Sequence, residues 1–168
     1  TDASLPVSAH VLDVTAPQCM SFNLDLDLGL LELEFDEPVN LDNLVVPYIS
    51  VVGSTTGATV VLTVSDASEL TTVTTLRLNI TFDDLNNIKL KNALGDMDRV
   101  LLQANTVTDL NGNWIEGNLQ VNPVSRLNYI ADTTAPSLSS AGLDLSNNLL
   151  SLSFDEVIDV KSLFPFNI

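Results

Sequence analysis

The sequence predicts an all-β protein: a Greek-key sandwich of short strands with one short crossover helix, organised in tandem repeats of about 119 residues. Three observations predict it. Apolar and polar residues alternate along several short runs, clusters of Asp, Asn, Gly and Pro separate those runs, and residues 13–49 match residues 132–168 without a gap, 16 of the 37 pairs being identical. Alternation with one apolar face marks a strand lying on a core. Many short strands with regular turn signals mark a sandwich, and self-similarity at a fixed period marks a repeat architecture.

The repeat begins at a linker motif. Asp13, Thr15, Ala16 and Pro17 return as Asp132, Thr134, Ala135 and Pro136, "LDL" at 24–26 returns at 143–145, and "LLELEFDE" at 30–37 returns as "LLSLSFDE" at 149–156. Leu31, Leu33 and Phe35 recur as Leu150, Leu152 and Phe154 while Glu32 and Glu34 become Ser151 and Ser153, so one strand face is kept apolar. These boundaries divide the chain into residues 1–12, the last strand of a preceding repeat; residues 13–131, one complete repeat; and residues 132–168, the start of the next. The chain begins at Thr1, as a processed protein or an excised window would. Pro17 and Pro136 fix their own φ and restrain the preceding residue, which makes the linkers stiff.

Along the complete repeat, residues 23–35 read as a hairpin turning at Asp27-Leu28-Gly29, which the second copy replaces with Ser146-Asn147-Asn148. Strands follow at 48–53 and 58–64. In "TTLRLNITF" at 74–82, Leu76, Leu78, Ile80 and Phe82 face one way and Arg77, Asn79 and Thr81 the other. Asp83 and Asp84 then form the acidic N-cap of a helix with Leu85 and Ile88 on one side and Gly95 past its end. A strand at 100–107, a turn at 109–113 and one or two strands within 118–130 complete the unit.

Against six Lys plus Arg stand 22 Asp plus Glu, a formal charge of −16. Phosphate backbones and anionic membrane surfaces need the opposite sign, so neither nucleic acid nor membrane insertion is expected. No apolar run approaches the length of a bilayer span. Cys19, the only cysteine, aligns with Leu138 and reads as a small core residue. His10, the only histidine, aligns with Tyr129 and reads as a strand residue. A lone histidine, no nucleophile motif and adjacent carboxylates on opposite strand faces argue against an enzyme.

Calcium is the better use for the acids, since a hard cation gathers oxygen ligands where domains meet. The candidates are Asp13 and Asp132 in the linkers, Glu37 and Glu156 after the long strand, and Asp109 with Asn111 in the turn. The competing reading makes residues 109–113 an Asx-type turn and Glu37 a solvated strand end. No cofactor is required on either reading. Asn79-Ile80-Thr81 is an N-glycosylation sequon on the polar face of its strand, so an attached glycan would meet solvent. Trp114, Tyr48 and Tyr129 are either packing residues or a sugar-binding platform.

The order Thr-Ala-Pro, "LELEFDEPV", "DLNNIK", "VTDLNGN" resembles bacterial-type, or S-layer-type, immunoglobulin-like repeats of very large secreted and cell-surface proteins. The resemblance implies an Ig-like sandwich in an extracellular fibre, sheath or surface array, with copies of itself as partners in head-to-tail stacking and no catalysis. The second reading is a calcium-dependent adhesin domain that binds a carbohydrate or a protein partner.

Overall fold

A computed structural model describes residues 9–63, 68–91, 97–118 and 124–163. Residues 1–8, the helix stop expected at Gly95 and residues 119–123 lie outside them.

Among the described residues the regular structure is mostly β, with one α-helix and a few single 3-10 turns. Strands β1 (Cys19–Asp25) and β2 (Leu30–Phe35) form the expected hairpin, followed by β3 (Val39–Asn40), β4 (Ile49–Gly53), β5 (Thr59–Val61), β6 (Ser68–Leu70) and β7 (Thr75–Asn79). Helix α1 (Phe82–Lys91) leads to β8 (Met97–Leu102), β9 (Thr108–Asp109) and β10 (Ser125–Ile130). A second hairpin, β11 (Leu138–Asp144) with β12 (Leu149–Phe154), follows, and a single 3-10 turn (Val160–Ser162) comes after it.

One sheet has the order β10-β1-β2-β7-β6 and a second the order β5-β4-β8, with a short β3-β9 ribbon beside them. Alternate residues of the first sheet (Leu24, Leu31, Leu33, Leu76, Leu78) and of the second (Ile49, Val51, Val60, Val100, Leu102) share one aliphatic core. Non-directional burial of these faces holds the two layers together. All neighbours in the two sheets are antiparallel except β1 and β10, which run parallel.

Four expectations are corrected. Phe82 does not continue the inward face of β7: Thr81 accepts the Asp84 amide on its hydroxyl at 3.2 Å, so Thr81 and not Asp83 or Asp84 is the helix N-cap. The period changes from two to 3.6 at that point, leaving Phe82 61% exposed. The Asp84 carboxylate is instead buried and accepts from the amide and hydroxyl of Thr63 at 2.7 and 2.8 Å, pinning the helix beside β5. The strand expected at 100–107 starts at Met97 and stops at Leu102, where the chain turns. His10 is exposed and belongs to no strand.

The second hairpin reproduces the first residue for residue. Cys19↔Phe35, Ser21↔Glu34 and Asp25↔Leu30 correspond to Leu138↔Phe154, Ser140↔Ser153 and Asp144↔Leu149, with the same irregularity after the first pair. Its Asx turn recurs too: Asp25 accepts the amides of Asp27 and Leu28, and Asp144 those of Ser146 and Asn147. Gly29 and Asn148 both adopt positive φ, 66° and 51°. Glycine and asparagine are the residues that tolerate this region. A Cβ on Gly29 would stand 3.1 Å from the Leu85 side chain, which explains glycine where the helix covers the turn. The copies differ in cover: Leu31 is fully buried, and Leu150 is 50% exposed.

Because β2 is sandwiched and β12 is not, Leu33→Ala is expected to cost about 2–5 kcal/mol in urea unfolding, and Leu152→Ala less than about 1 kcal/mol. Similarly, Gly29→Asn should lower the urea midpoint, while Asn148→Gly leaves it nearly unchanged.

Candidate functional site at the repeat junction

The parallel pairing of β1 and β10 decides where the site lies. Strand β1 starts at the pole that carries Asp13 and Glu37 and ends at the pole of the β1–β2 turn, and β10 runs the same way, Asp25 standing opposite Ile130. The chain therefore passes from one pole of the sandwich to the other, roughly 20 Å for strands of this length. We call these the N-terminal and C-terminal poles.

At the C-terminal pole the linker after β10 and the segment after β12 are held by three side chains. Asp27, in the β1–β2 turn, accepts from the amide and hydroxyl of Thr133 at 2.9 and 2.8 Å, and from those of Thr134 at 3.1 and 2.9 Å. These donors hold the Asp27 carboxyl well below the usual carboxylate range. From helix α1, Asn86 accepts the Val157 amide at 2.9 Å. One turn on, the Lys89 ammonium lies 3.0 Å from Asp132 Oδ2 and 2.7 Å from Glu156 Oε2. The Lys89 and Glu156 side chains are each only 11% exposed. Desolvation works against the Lys89 charge, but the bonds to Glu156 and Asp132 outweigh it and raise its pKa.

At the N-terminal pole the structure brings Asp13, Glu37 and Asp109 together, one carboxylate oxygen of each within 4.8 Å of the others. Asp109 Oδ1 accepts the amides of Asn111 and Asn113 at 2.9 and 2.7 Å, and Oδ2 accepts Asn113 Nδ2 at 2.8 Å. The Asn113 amide group also donates to the Asp13 carbonyl at 3.1 Å, tying the linker to the turn. Burial works to raise the Asp109 carboxyl, yet the surrounding donors hold it below its ordinary value. Glu37 goes the other way: burial, then the charges of Asp13, Asp109 and Asp36, push it up.

Of the six calcium candidates, three meet in this cluster. Asn111 enters the arrangement through its backbone amide to Asp109, and Asp132 and Glu156 carry the lysine at the opposite pole. Within the cluster Asp109 is the most engaged carboxylate, Oδ1 accepting two donors and Oδ2 one. A calcium shell wants six to eight oxygens, water among them, of which the three carboxylates would supply a part. The 109–113 turn is an Asx-type turn whether or not a cation is present.

The linker residues behave as a matched pair of Asx turns, Thr15 donating to Asp13 at 2.9 Å and Thr134 to Asp132 at 3.3 Å. Pro17 is buried and Ala16 half-buried, whereas Ala135 and Pro136 are exposed. Asn79 is exposed at the end of β7. Cys19 packs at the core margin, where burial pushes its thiol up to about 12. Tyr48 precedes β4, Trp114 bridges to Thr108 and Tyr129 packs on the core beneath Arg126, so the three aromatics belong to separate elements. Among the described residues no helix is long and apolar enough to cross a membrane.

Sequence reasoning missed Asp27, Asn86 and Lys89. Lys89 carried a faint signal as one of only six cations in an acidic chain. Asp27 and Asn86 carried none, because turns and helix surfaces ordinarily bear such residues.

A glutamate whose folded pKa is raised opposes folding above its unfolded pKa, and this opposition disappears as pH falls below that value. Glu37→Gln is therefore expected to raise the free energy of unfolding in urea at pH 7 by about a few tenths of a kcal/mol, and the gain should vanish below the ordinary glutamate value of 4.5. Carbon-detected titration of the carboxyl groups checks the same point, with Glu37 titrating above Asp27 and Asp109.

No family model matches the chain, and no curated protein matches it. Among solved structures, the crystal structure of the S-layer protein rSbsC(31-844) is similar at 14% identity and a TM-score of 0.44, a match that covers 83% of this chain and 18% of that one.

Proposed function

We propose that the chain is a structural repeat of an extracellular fibre, sheath or surface array, in which Ig-like units of about 119 residues stack head to tail. The observation that carries this reading is the locked junction: a hairpin recurs in the same register, and the linker before it is clamped by Asp27 and Lys89 of the preceding sandwich. A linker meant only as a tether needs no such contacts. The unit is residues 13–131, with residues 1–12 and 132–168 belonging to its neighbours.

The Ig-like assignment is supported by strand order. The order β1-β2-β7-β6 against β5-β4-β8 follows the two-sheet arrangement of immunoglobulin sandwiches, and β10 departs from it by joining the first sheet beside β1. An acidic surface suits a secreted array in a salt-rich medium, and exposed Asn79 is the position for a glycan. The role is mechanical: opposite poles relay the chain, clamped junctions set the angle between units, and no catalysis is assigned.

Spin labels at Leu110→Cys and Ser151→Cys, in a Cys19→Ala background, measure the junction directly. A single narrow distance distribution is expected, broadening when Asp27→Ala and Lys89→Met are combined. A broad distribution in the protein with its clamps intact would sink the stacking reading.

A further inference from the structure

We propose that the Asp13, Glu37 and Asp109 carboxylates form a socket for a lysine ammonium carried by helix α1 of a preceding copy of the same repeat. This deepens the stacking reading and rests on it.

The internal repeat identifies the occupant. Asp13 and Glu37 correspond to Asp132 and Glu156, and that second pair already grips the Lys89 ammonium of the sandwich before it, at 3.0 and 2.7 Å. The same two positions thus hold an ammonium at one junction and face each other without a cation among the described residues at the other.

Donor counting agrees. A lysine ammonium has three N–H donors and no acceptor, and the N-terminal pole offers three carboxylates. Asp109 Oδ2 keeps a lone pair beyond the one used by Asn113, so it can take the third donor. Insertion of the positive charge would also remove the cost that burial and like charge impose on Glu37.

The two junctions are not identical. Val157, whose amide bonds Asn86, is replaced by Pro38, which has no amide proton. Thr133, whose hydroxyl bonds Asp27, is replaced by Val14, which is 82% exposed. The Asn86 contact and one of the four donors to Asp27 are thus gone, while the amide of Val14 and the amide and hydroxyl of Thr15 remain for that carboxylate. The lysine therefore carries a larger share of the polar contact at the N-terminal junction, and the third carboxylate strengthens its grip. Val14 would then be covered by the incoming turn.

The test adds a copy in front of the whole chain: residues 1–131 followed directly by residues 13–168, so that Ala131 leads into Asp13 as it natively leads into Asp132. Carbodiimide coupling, which joins an amine only to a carboxylate in contact, is read by peptide mass spectrometry, with native coupling of Lys89 to Asp132 or Glu156 as internal standard. The leading copy's Lys89 is expected to couple to Asp13 or Glu37 of the following copy with comparable yield. Glu37→Gln in that following copy should lose the stabilising effect it has in the single chain. Absence of coupling at the new junction, with a narrow spin-label distance across it, overturns the socket and leaves stacking intact. Broad distances at both junctions remove the stacking reading and the socket with it. Calcium chloride titrated into the native chain is the last arm: saturable shifts of the Asp13 and Glu37 carboxyl resonances that persist in the fusion would assign the cluster to a metal and overturn the lysine.

Discussion

The parallel hydrogen bonding of β1 with β10 is the constraint from which the rest of the molecule follows. An antiparallel last strand would return the chain to the pole where it began, and the next hairpin would fold back beside the first. With the first and last strands parallel, the chain leaves by the far pole. The β1–β2 turn and helix α1 are gathered there, so the contacts made by the outgoing linker are made by residues far from it in sequence: Asp27 meets residues 106 and 107 positions away.

The junction is built from groups that are expensive to bury. Lys89 and Glu156 are mostly removed from water, and Glu156 Oε1 is buried without a hydrogen-bond partner among the described groups. Such a cluster is weak evidence for stability, because desolvation offsets much of the Coulomb attraction. What it supplies is geometry: an ammonium between two carboxylates has one satisfactory position, and a displaced junction would strand three charges. Fixing an angle between neighbours is the task that such a cluster suits. The half-buried Asp27 contributes differently, as a carboxylate that four donors hold ionised.

Comparison of the two hairpins separates what the backbone needs from what the surroundings need. The Asx turn, the strand register and the positive φ are kept through Asp25/Asp144 and Gly29/Asn148. Two of the residues that vary are touched by something beyond the hairpin. Glu32 lies opposite Arg77 on β7 and accepts from its guanidinium at 2.8 Å, and Ser151 stands in its place in the second hairpin. Gly29 makes room for Leu85, and Asn148, which is exposed, needs no such room.

Sequence by itself determined the all-β class, the repeat and its spacing, the hairpin turn, the alternation that buries Leu31, Leu33, Leu76 and Leu78, and the kinship of Asp13 with Asp132 and of Glu37 with Glu156. Each of these is local or is a comparison of the chain with itself, so it leaves a readable pattern. It misjudged the end of β7 because Phe82 satisfies the strand alternation that the Thr81 cap interrupts, and it placed His10 in a strand on alignment alone. Only the tertiary structure decided that β10 runs parallel to β1, that Asp109 comes within reach of Asp13 and Glu37, and that Lys89 and Asp27 close the opposite junction. Those pairings join residues tens of positions apart through packing of two sheets and a helix, and a single carboxylate or lysine on a polar surface carries no mark of which distant partner packing will bring to it.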